Sequence, residues 1–311
     1  MKVAVTGGAG YIGSHALVEL CRAGHEPVVL DNLSEGHREA VTGGRLLEAE
    51  LADEPTVARA LRECGAQAVM HFAASAYVGE SVKDPQKYYF NNVVNTLHLL
   101  RAVRGSGIER FVFSGSCTVY GIPARVPITE QFPLQPISPY GRTKATVEGI
   151  LADYAEAYGL KYASLRYFNA AGAMPDGSLG EDHDPETHLI PIVIQAALGL
   201  RDSITIFGTD YPTPDGTCVR DYIHVLDLGA AHVLALEQLD RHAPAVFNLG
   251  TGRGHSVREI IEAVREVSGR DVPVREGQRR PGDPPALVSF PAKARELLGW
   301  EPQFPELRQI V

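Results

Sequence analysis

Thr6-Gly7-Gly8-Ala9-Gly10-Tyr11-Ile12-Gly13 follows a short apolar run, Lys2-Val3-Ala4-Val5, and opens a segment with helical spacing. Glycines at 7, 10 and 13 permit a tight strand-to-helix turn. They also let a pyrophosphate approach the backbone N–H groups at the helix N-terminus. A glycine-rich turn without a ligand is the plainer reading of those residues alone; strand, three spaced glycines and helix in that order favour a dinucleotide. The second apolar run ends Val28-Val29-Leu30-Asp31-Asn32, 18 residues beyond Gly13. A carboxylate there accepts hydrogen bonds from both ribose hydroxyls and repels a 2′-phosphate, so the expected cofactor is NAD rather than NADP. A simple turn aspartate is the alternative for Asp31. Glu50 and Leu51, after the next apolar run, are further candidates to flank the adenine.

Outward from that stretch, apolar strands alternate with amphipathic helices. The strands are expected at Lys2–Thr6, Glu26–Asp31, Ala68–Phe72, Arg110–Ser114 and Ala163–Tyr167, with helices over 12–23, 54–64, 85–105 and 139–158. The pattern predicts an α/β fold: a Rossmann-type doubly wound parallel sheet with helices on both faces. Ala245–Leu249 is expected to return to this sheet. Residues 170–220 and 250–311 are richer in Pro, Gly and Asp and read as a smaller substrate-binding lobe. Residues 1–169, with return segments over about 221–249, form the expected dinucleotide domain. Ligands of such folds bind beyond the carboxyl ends of the strands, so the loops after Thr6, Asp31, Phe72, Ser114 and Tyr167 should line the site.

Composition narrows the partners. A net charge of −9 over 311 residues argues against a nucleic-acid surface. There is no run of 18 apolar residues, so no membrane span is expected. The strand-like start at Lys2 gives no sign of a signal peptide. Cys21, Cys64, Cys117 and Cys218 lack metal-type spacing and fit buried thiols in a reducing cytoplasm; no metal site is expected.

Near residue 140 the chain reads Ser138-Pro139-Tyr140-Gly141-Arg142-Thr143-Lys144. Ser138 is a good N-cap, and Pro139 suits the first helical position. Tyr140 then falls in the first turn, where the helix dipole favours an anion, and Lys144 follows four residues later on the same face. Both effects are expected to lower the phenol pKa toward neutrality, as a general base requires. Phe113-Ser114-Gly115-Ser116-Cys117-Thr118 closes a buried strand, and its hydroxyls are placed to reach the same pocket. Hydroxyls merely satisfying a strand end are the structural alternative.

Gly7-x-x-Gly10-x-x-Gly13, Asp31-Asn32, His71-Phe72-Ala73-Ala74, the Ser116 loop and Tyr140-x-x-x-Lys144 together resemble the extended short-chain dehydrogenase/reductase family. Val78-Gly79-Glu80-Ser81, Arg166-Tyr167-Phe168-Asn169, Ile206-Phe207-Gly208-Thr209-Asp210-Tyr211, Val219-Arg220-Asp221-Tyr222-Ile223-His224-Val225 and Arg279-Arg280-Pro281-Gly282-Asp283 are similar to its nucleotide-sugar epimerases. The likeness covers nearly the whole chain. It implies NAD-dependent inversion at C4 of a UDP-hexose, UDP-glucose or UDP-galactose, through a transient 4-keto sugar. A homodimer paired through the helices of 85–105 and 139–158 is implied as well.

The resemblance also implies roles. Tyr140 would be the base at the sugar 4-hydroxyl, Ser116 would hydrogen-bond that hydroxyl, and Lys144 would hold the nicotinamide ribose. Gly7, Gly10, Tyr11, Ile12, Gly13, Asp31, Asn32, Glu50, Leu51, Phe72, Ala73, Ala74, Asn91, Ser114, Tyr167 and Phe168 would lie against NAD. Asn169, His188, Leu189, Thr205, Phe207, Arg220, Arg280, Asp283 and Leu287 match positions facing the UDP-sugar. Two arginines suit a pyrophosphate, whereas surface arginines and aspartates also form ordinary solvated pairs. His188 stands where some epimerases carry asparagine, and Ala76 where some carry lysine. The chain stops at Val311, short of the final helix of many relatives, which bears on the outer lobe rather than the pocket. The alternatives are a UDP-N-acetylglucosamine 4-epimerase, a sugar-nucleotide 4,6-dehydratase and a non-catalytic NAD-sensing regulator. A dehydratase uses an acidic pair where this chain has Ser116-Cys117-Thr118. A regulator has no need of Ser116, Tyr140 and Lys144 together.

Overall fold

A computed structural model describes residues 1–280 and 282–311; Pro281, part of one of the motifs above, lies outside the described residues. In chain order the strands are β1 (Lys2–Thr6), β2 (Glu26–Asp31), β3 (Arg45–Glu48), β4 (Ala68–His71), β5 (Arg110–Ser114), β6 (Lys161–Tyr167), β7 (Asn169–Ala171), β8 (Ile204–Phe207), β9 (Val219–His224), β10 (Ala245–Leu249), β11 (Gly254–Ser256), β12 (Val274–Gly277) and β13 (Ala286–Leu287). The main sheet has seven parallel strands in the order β10-β6-β5-β4-β1-β2-β3. The order reverses between β1 and β4, and the carboxyl ends of those strands define the ligand crevice.

Helices cover both faces: α1 (Tyr11–Arg22), α2 (Glu54–Cys64), α3 (Val78–Lys83), α4 (Pro85–Tyr89), α5 (Asn95–Gly105), α6 (Pro139–Tyr158), α7 (Leu189–Ala197) and α8 (Val225–Glu237). Strand residues alternate between two cores. Val3, Val5, Val29, Met70 and Val112 face Leu17 and Leu20 of α1 and Leu228 of α8. Ala4, Leu30, Val69, Phe111 and Phe113 face Val57 of α2, Leu99 of α5 and Leu151 of α6. Burial on both faces explains why these strands read as continuous apolar runs. A third core, with Ile190 and Val193 of α7 against Ile204 and Ile206 of β8, builds the outer lobe.

The structure adds several elements to those expected from sequence, and two differences fall in the main sheet and the helices beside it. The edge strand β3 was not anticipated, because Arg45-Leu46-Leu47-Glu48 is short and half-buried. The segment 85–105 is not one helix: a π-helical turn over Phe90–Val94 separates α4 from α5. There Asn92 accepts from the Ser75 N–H at 2.8 Å and donates to the Ser75 carbonyl at 3.0 Å and to Thr143 Oγ1 at 3.1 Å. The inserted turn is stabilised by tying α4 and α5 to the loop after β4 and to α6, a use typical of π-bulges.

Asp221 of β9, which is fully buried, joins the segments that follow β10 and β13. Its carboxylate accepts from the Thr251, Gly252 and Ser289 N–H groups and from the Thr251 and Ser289 hydroxyls at 2.6 to 3.1 Å. β9 pairs in parallel with β7 and β13 and antiparallel with β11. That arrangement brings Asn169, Arg220 and Leu287 to one side of the crevice.

Candidate active site

The glycine loop is built for a ligand rather than only for a turn. Gly7 has φ +72°, and a Cβ there would strike the backbone of Ala73; one on Gly13 would strike the Gly7 carbonyl. Those two glycines are needed for packing of the chain on itself. A Cβ on Gly10 would meet only the Gly7 carbonyl, at 3.5 Å. Gly10 is the N-cap of α1, makes no side-chain capping bond, and no acidic residue occupies the first turn. The positive end of the helix dipole is therefore left for an anion. Asp31 lies beside it, accepting from the Ala9 N–H and the Leu33 N–H, each at 2.9 Å. Asn32 donates to Glu50 at 2.8 Å. Leu51 instead packs into the core with Leu30 and Val57. Phe72 and Ala73 extend from β4, each donating its N–H to the Thr6 carbonyl. Asn91 donates to Ser75 Oγ at 3.0 Å.

The second half of the crevice is formed by β5, α6 and β6. Ser138 caps α6, accepting from the Gly141 N–H at 3.1 Å, with Pro139 at the first helical position. Tyr140 and Lys144 therefore share a face, and both are buried. The Lys144 ammonium donates to the Ser114 carbonyl at 2.8 Å and lies 5.8 Å from the centre of the Tyr140 ring. Ser116 Oγ lies 2.9 Å from Thr118 Oγ1. Ser114 Oγ lies 2.9 Å from the Tyr167 hydroxyl. The residues at the ends of β5 and β6 thus converge on Tyr140.

The electrostatics correct one expectation. Burial, reinforced by Tyr167, pushes the Tyr140 phenol up rather than down, although the Ser116 hydroxyl pulls against it. The helix dipole and Lys144 do not overcome desolvation, because the ammonium is itself buried and engaged with Ser114. Burial lowers the Lys144 pKa to about 8, with Glu148 opposing the shift. A phenolate here requires further positive charge in the pocket.

Across the crevice, Arg280 Nε donates to Asp283 at 2.9 Å, and its guanidinium lies 5.0 Å from the Phe207 ring centre. Arg220 is 3.8 Å from Asp283 and donates to the Pro284 carbonyl at 2.9 Å. Phe207 remains half-exposed, available for stacking. Asn169 donates to the Asp221 carbonyl at 2.9 Å. Thr205 lies on β8, and Leu189 begins α7. Leu287 is buried against Cys117, Tyr120 and Phe168, next to the Ser116 loop. The His188 side chain is not directed at the arginine group; it meets Glu181 at 2.7 Å and Glu186 at 3.1 Å.

Sequence reasoning missed Glu181, His183 and Glu186, which join His188 in one cluster. Their spacing, Glu-x-His-x-x-Glu-x-His, was the available signal. It also missed Glu148, which pairs with Arg166 in the interior at 2.5 Å. Of the four cysteines expected to be buried, Cys117 and Cys218 are, whereas Cys64 is partly exposed and Cys21, at the end of the surface helix α1, is exposed.

A glycine loop at the switch point of a Rossmann sheet, with a buried Ser–Tyr–Lys group at the end of β5 and the start of α6, defines an NAD-dependent enzyme of the short-chain dehydrogenase/reductase type. The sequence profile of the NAD dependent epimerase/dehydratase family matches residues 3–250, and the chain belongs to that family. It is 52% identical over 310 residues to a UDP-glucose 4-epimerase of Rhizobium leguminosarum bv. trifolii, covering 99% of this chain and 94% of that one. The crystal structure of the Brucella ovis UDP-glucose 4-epimerase in complex with NAD superposes with TM-score 0.97 at 53% identity, covering 99% and 95% of the two chains. The Bifidobacterium longum enzyme, in complex with NAD+ and UDP, gives TM-score 0.95 at 37% identity, covering 100% and 96%.

Proposed function

We infer that this chain is an isomerase that inverts C4 of a UDP-hexose, interconverting UDP-glucose and UDP-galactose with NAD held in the β1/β4 crevice. The observation that supports this reading best is the buried group of Ser116, Tyr140 and Lys144 at the end of β5 and the start of α6, with Ser116-Cys117-Thr118 where a dehydratase carries its acidic pair. C4 of a hexose has no acidic C–H, so a base alone cannot invert it; transient oxidation to the ketone can. NAD, when bound, supplies the hydride acceptor and donor for that oxidation, and its nicotinamide adds positive charge to the pocket.

Within this reading Tyr140 takes the 4-hydroxyl proton and later returns it, with Ser116 as the hydrogen-bonding partner of that hydroxyl. Lys144 holds the ribose with the ammonium protons not spent on Ser114, and favours the phenolate. Asp31 accepts from the adenosine ribose. Arg220 and Arg280 neutralise the pyrophosphate, Phe207 packs on uracil, and Asp283 orients the arginines and the uridine ribose. This distant grip retains the flat 4-keto sugar while its hexose ring turns over, so that binding energy remote from C4 serves the reaction.

The dehydratase reading lacks a suitable acid/base pair. At the place of that pair, directly after β5, the chain carries Ser116, Cys117 and Thr118, and burial pushes the Cys117 thiol up to about 12. A homodimer through α5 and α6 and a cytoplasmic setting belong to the same proposal, supported by the length of α6 and by four unbridged cysteines; light scattering in solution tests the first.

The deciding experiment incubates the purified protein with UDP-glucose and no added NAD, then separates the product sugars. UDP-galactose is expected, with NAD released on denaturation. Product formation only with added NAD, accompanied by stoichiometric NADH, would indicate a dehydrogenase instead.

A further inference from the structure

The segment joining β7 to α7 gathers four side chains that the epimerisation chemistry does not use together. His183 Nδ1 lies 3.1 Å from Glu181 Oε1 and 3.6 Å from Glu186 Oε2. His188 Nδ1 lies 2.7 Å from Glu181 Oε1 and 3.1 Å from Glu186 Oε1. One donor atom from each of the four residues falls within 4.8 Å of all the others. Glu186 Oε1 also accepts from the Thr187 and His188 N–H groups at 2.6 and 2.7 Å, which fixes that carboxylate in place.

We propose that Glu181, His183, Glu186 and His188 form a closed, structural site for a divalent transition metal, of which zinc fits best. Zinc bonds of about 2.0–2.2 Å to imidazole and carboxylate place neighbouring ligand atoms about 3.3–3.6 Å apart in a tetrahedron. The four imidazole-to-carboxylate distances, 2.7 to 3.6 Å, bracket that spacing. A ring nitrogen carries one hydrogen at most and serves one acceptor well. Here each Nδ1 faces both carboxylates, and Glu181 Oε1 faces both rings, which is convergence on a point rather than pairing. The side chains of Glu181 and Glu186 are only 7% and 5% exposed. Zinc takes neutral imidazole, so it replaces the ring protons that otherwise lie between the histidines and the carboxylates, and the dication then balances the two buried carboxylate charges. Two nitrogens and two oxygens suit zinc, whereas calcium and magnesium favour larger all-oxygen shells.

The position gives the site a structural role. His183 packs edge-on against Tyr11, at 6.3 Å, and Tyr77, at 5.8 Å. Tyr11 belongs to the glycine loop, donates to the Gly172 carbonyl at 2.6 Å, and begins α1. A metal would therefore clip residues 181–188 to the rim of the dinucleotide crevice and set the start of α7. This inference stands apart from the epimerase reading, since its test reads metal and not turnover.

The full chain, stripped with a chelator and dialysed, is titrated with zinc chloride against a chromophoric competitor and then loaded with cobalt(II). One zinc per chain and the visible absorption of four-coordinate cobalt are expected. His183→Ala should weaken zinc binding by about a hundredfold or more, because it removes one of four ligands. His183→Cys replaces imidazole with thiolate; it should keep stoichiometric zinc and give the cobalt form a sulfur-to-metal charge-transfer band absent from the wild type. That band would support the site even if His183→Ala did not fold. Absence of stoichiometric zinc in the wild type, or equal zinc affinity in folded His183→Ala, would overturn the proposal.

Discussion

Lys144 donates to the Ser114 carbonyl at 2.8 Å while its ammonium stays 5.8 Å from the centre of the Tyr140 ring. The lysine is thus positioned by the end of β5, and its influence on the phenol is electrostatic. Tyr140→Phe keeps the ring in its buried slot and removes only the proton acceptor. Loss of a general base costs about 10²–10⁴-fold, so kcat should fall by that range with UDP binding largely retained. Ser116→Ala should cost less, because Thr118 Oγ1 lies 2.9 Å from Ser116 Oγ and offers a substitute hydroxyl. Steady-state kinetics with UDP-galactose check both. A Tyr140→Phe enzyme within threefold of wild type removes Tyr140 from the reaction.

Asp31 has two duties that separate in different variants. It ties the glycine loop through the Ala9 N–H and is proposed to hold the ribose of NAD. Asp31→Asn keeps one acceptor oxygen and loses the charge that repels a 2′-phosphate. Its preference for NAD over NADP should narrow by about 1–3 kcal/mol, measured as the ratio of the two dissociation constants in apo protein. Asp31→Ala should narrow it too and also lower Tm, because the Ala9 and Leu33 N–H groups lose their acceptor. An unchanged ratio in Asp31→Asn would show that another residue reads the ribose.

Leu287 shares a buried cluster with Cys117 and Phe168, beside the Ser116 loop. A larger group there narrows the space on that side of the sugar. The expected main pair is UDP-glucose and UDP-galactose, with UDP-N-acetylglucosamine slower by about tenfold to a hundredfold in kcat/KM, the cost of one poorly fitted group. Leu287→Tyr should widen that gap and Leu287→Ala narrow it. Overpacking also destabilises by about 1–3 kcal/mol, so Tm is measured alongside the rates. The same ratio in both variants would move the size gate elsewhere.

Acid stability follows from two buried histidines. Burial, helped by Lys144, lowers the His71 pKa to about 3. Burial lowers the His232 pKa to about 4, against a hydrogen bond to the Leu228 carbonyl. The folded protein keeps both imidazoles neutral, while below about pH 6.5 the unfolded chain takes up protons at each. Their contribution is therefore fully present above about pH 6.5 and is lost as pH falls toward 4 and 3. At about pH 4.5, two units below the ordinary imidazole value, each should cost about 2.5 kcal/mol. His232→Leu removes one titrating group while filling its place, so urea unfolding should show a smaller loss between pH 7 and 4.5. An identical pH dependence in that variant would show that His232 is not one of the groups responsible.

Much of the chain's identity was legible because its signals are local. A strand, spaced glycines and the start of a helix lie within the first 13 residues, Asp31 closes the next strand, and Ser138-Pro139-Tyr140 with Lys144 spans two helical turns. Backbone geometry and side-chain period act at that range, so the parallel sheet, the dinucleotide crevice and the family follow from sequence. Three features depend on residues far apart in the chain and were decided only by tertiary packing. Desolvation by surrounding elements raised the Tyr140 phenol where the local helix dipole argued for lowering it. The Asn92 bonds to Ser75 and Thr143 broke one expected helix into three parts. Asp221 reached segments at 251 and 289 and joined them. Glu181, His183, Glu186 and His188 are close in sequence, yet their spacing alone does not say which side chains face inward. Packing against Tyr11 and Tyr77 accompanies their convergence on a common point.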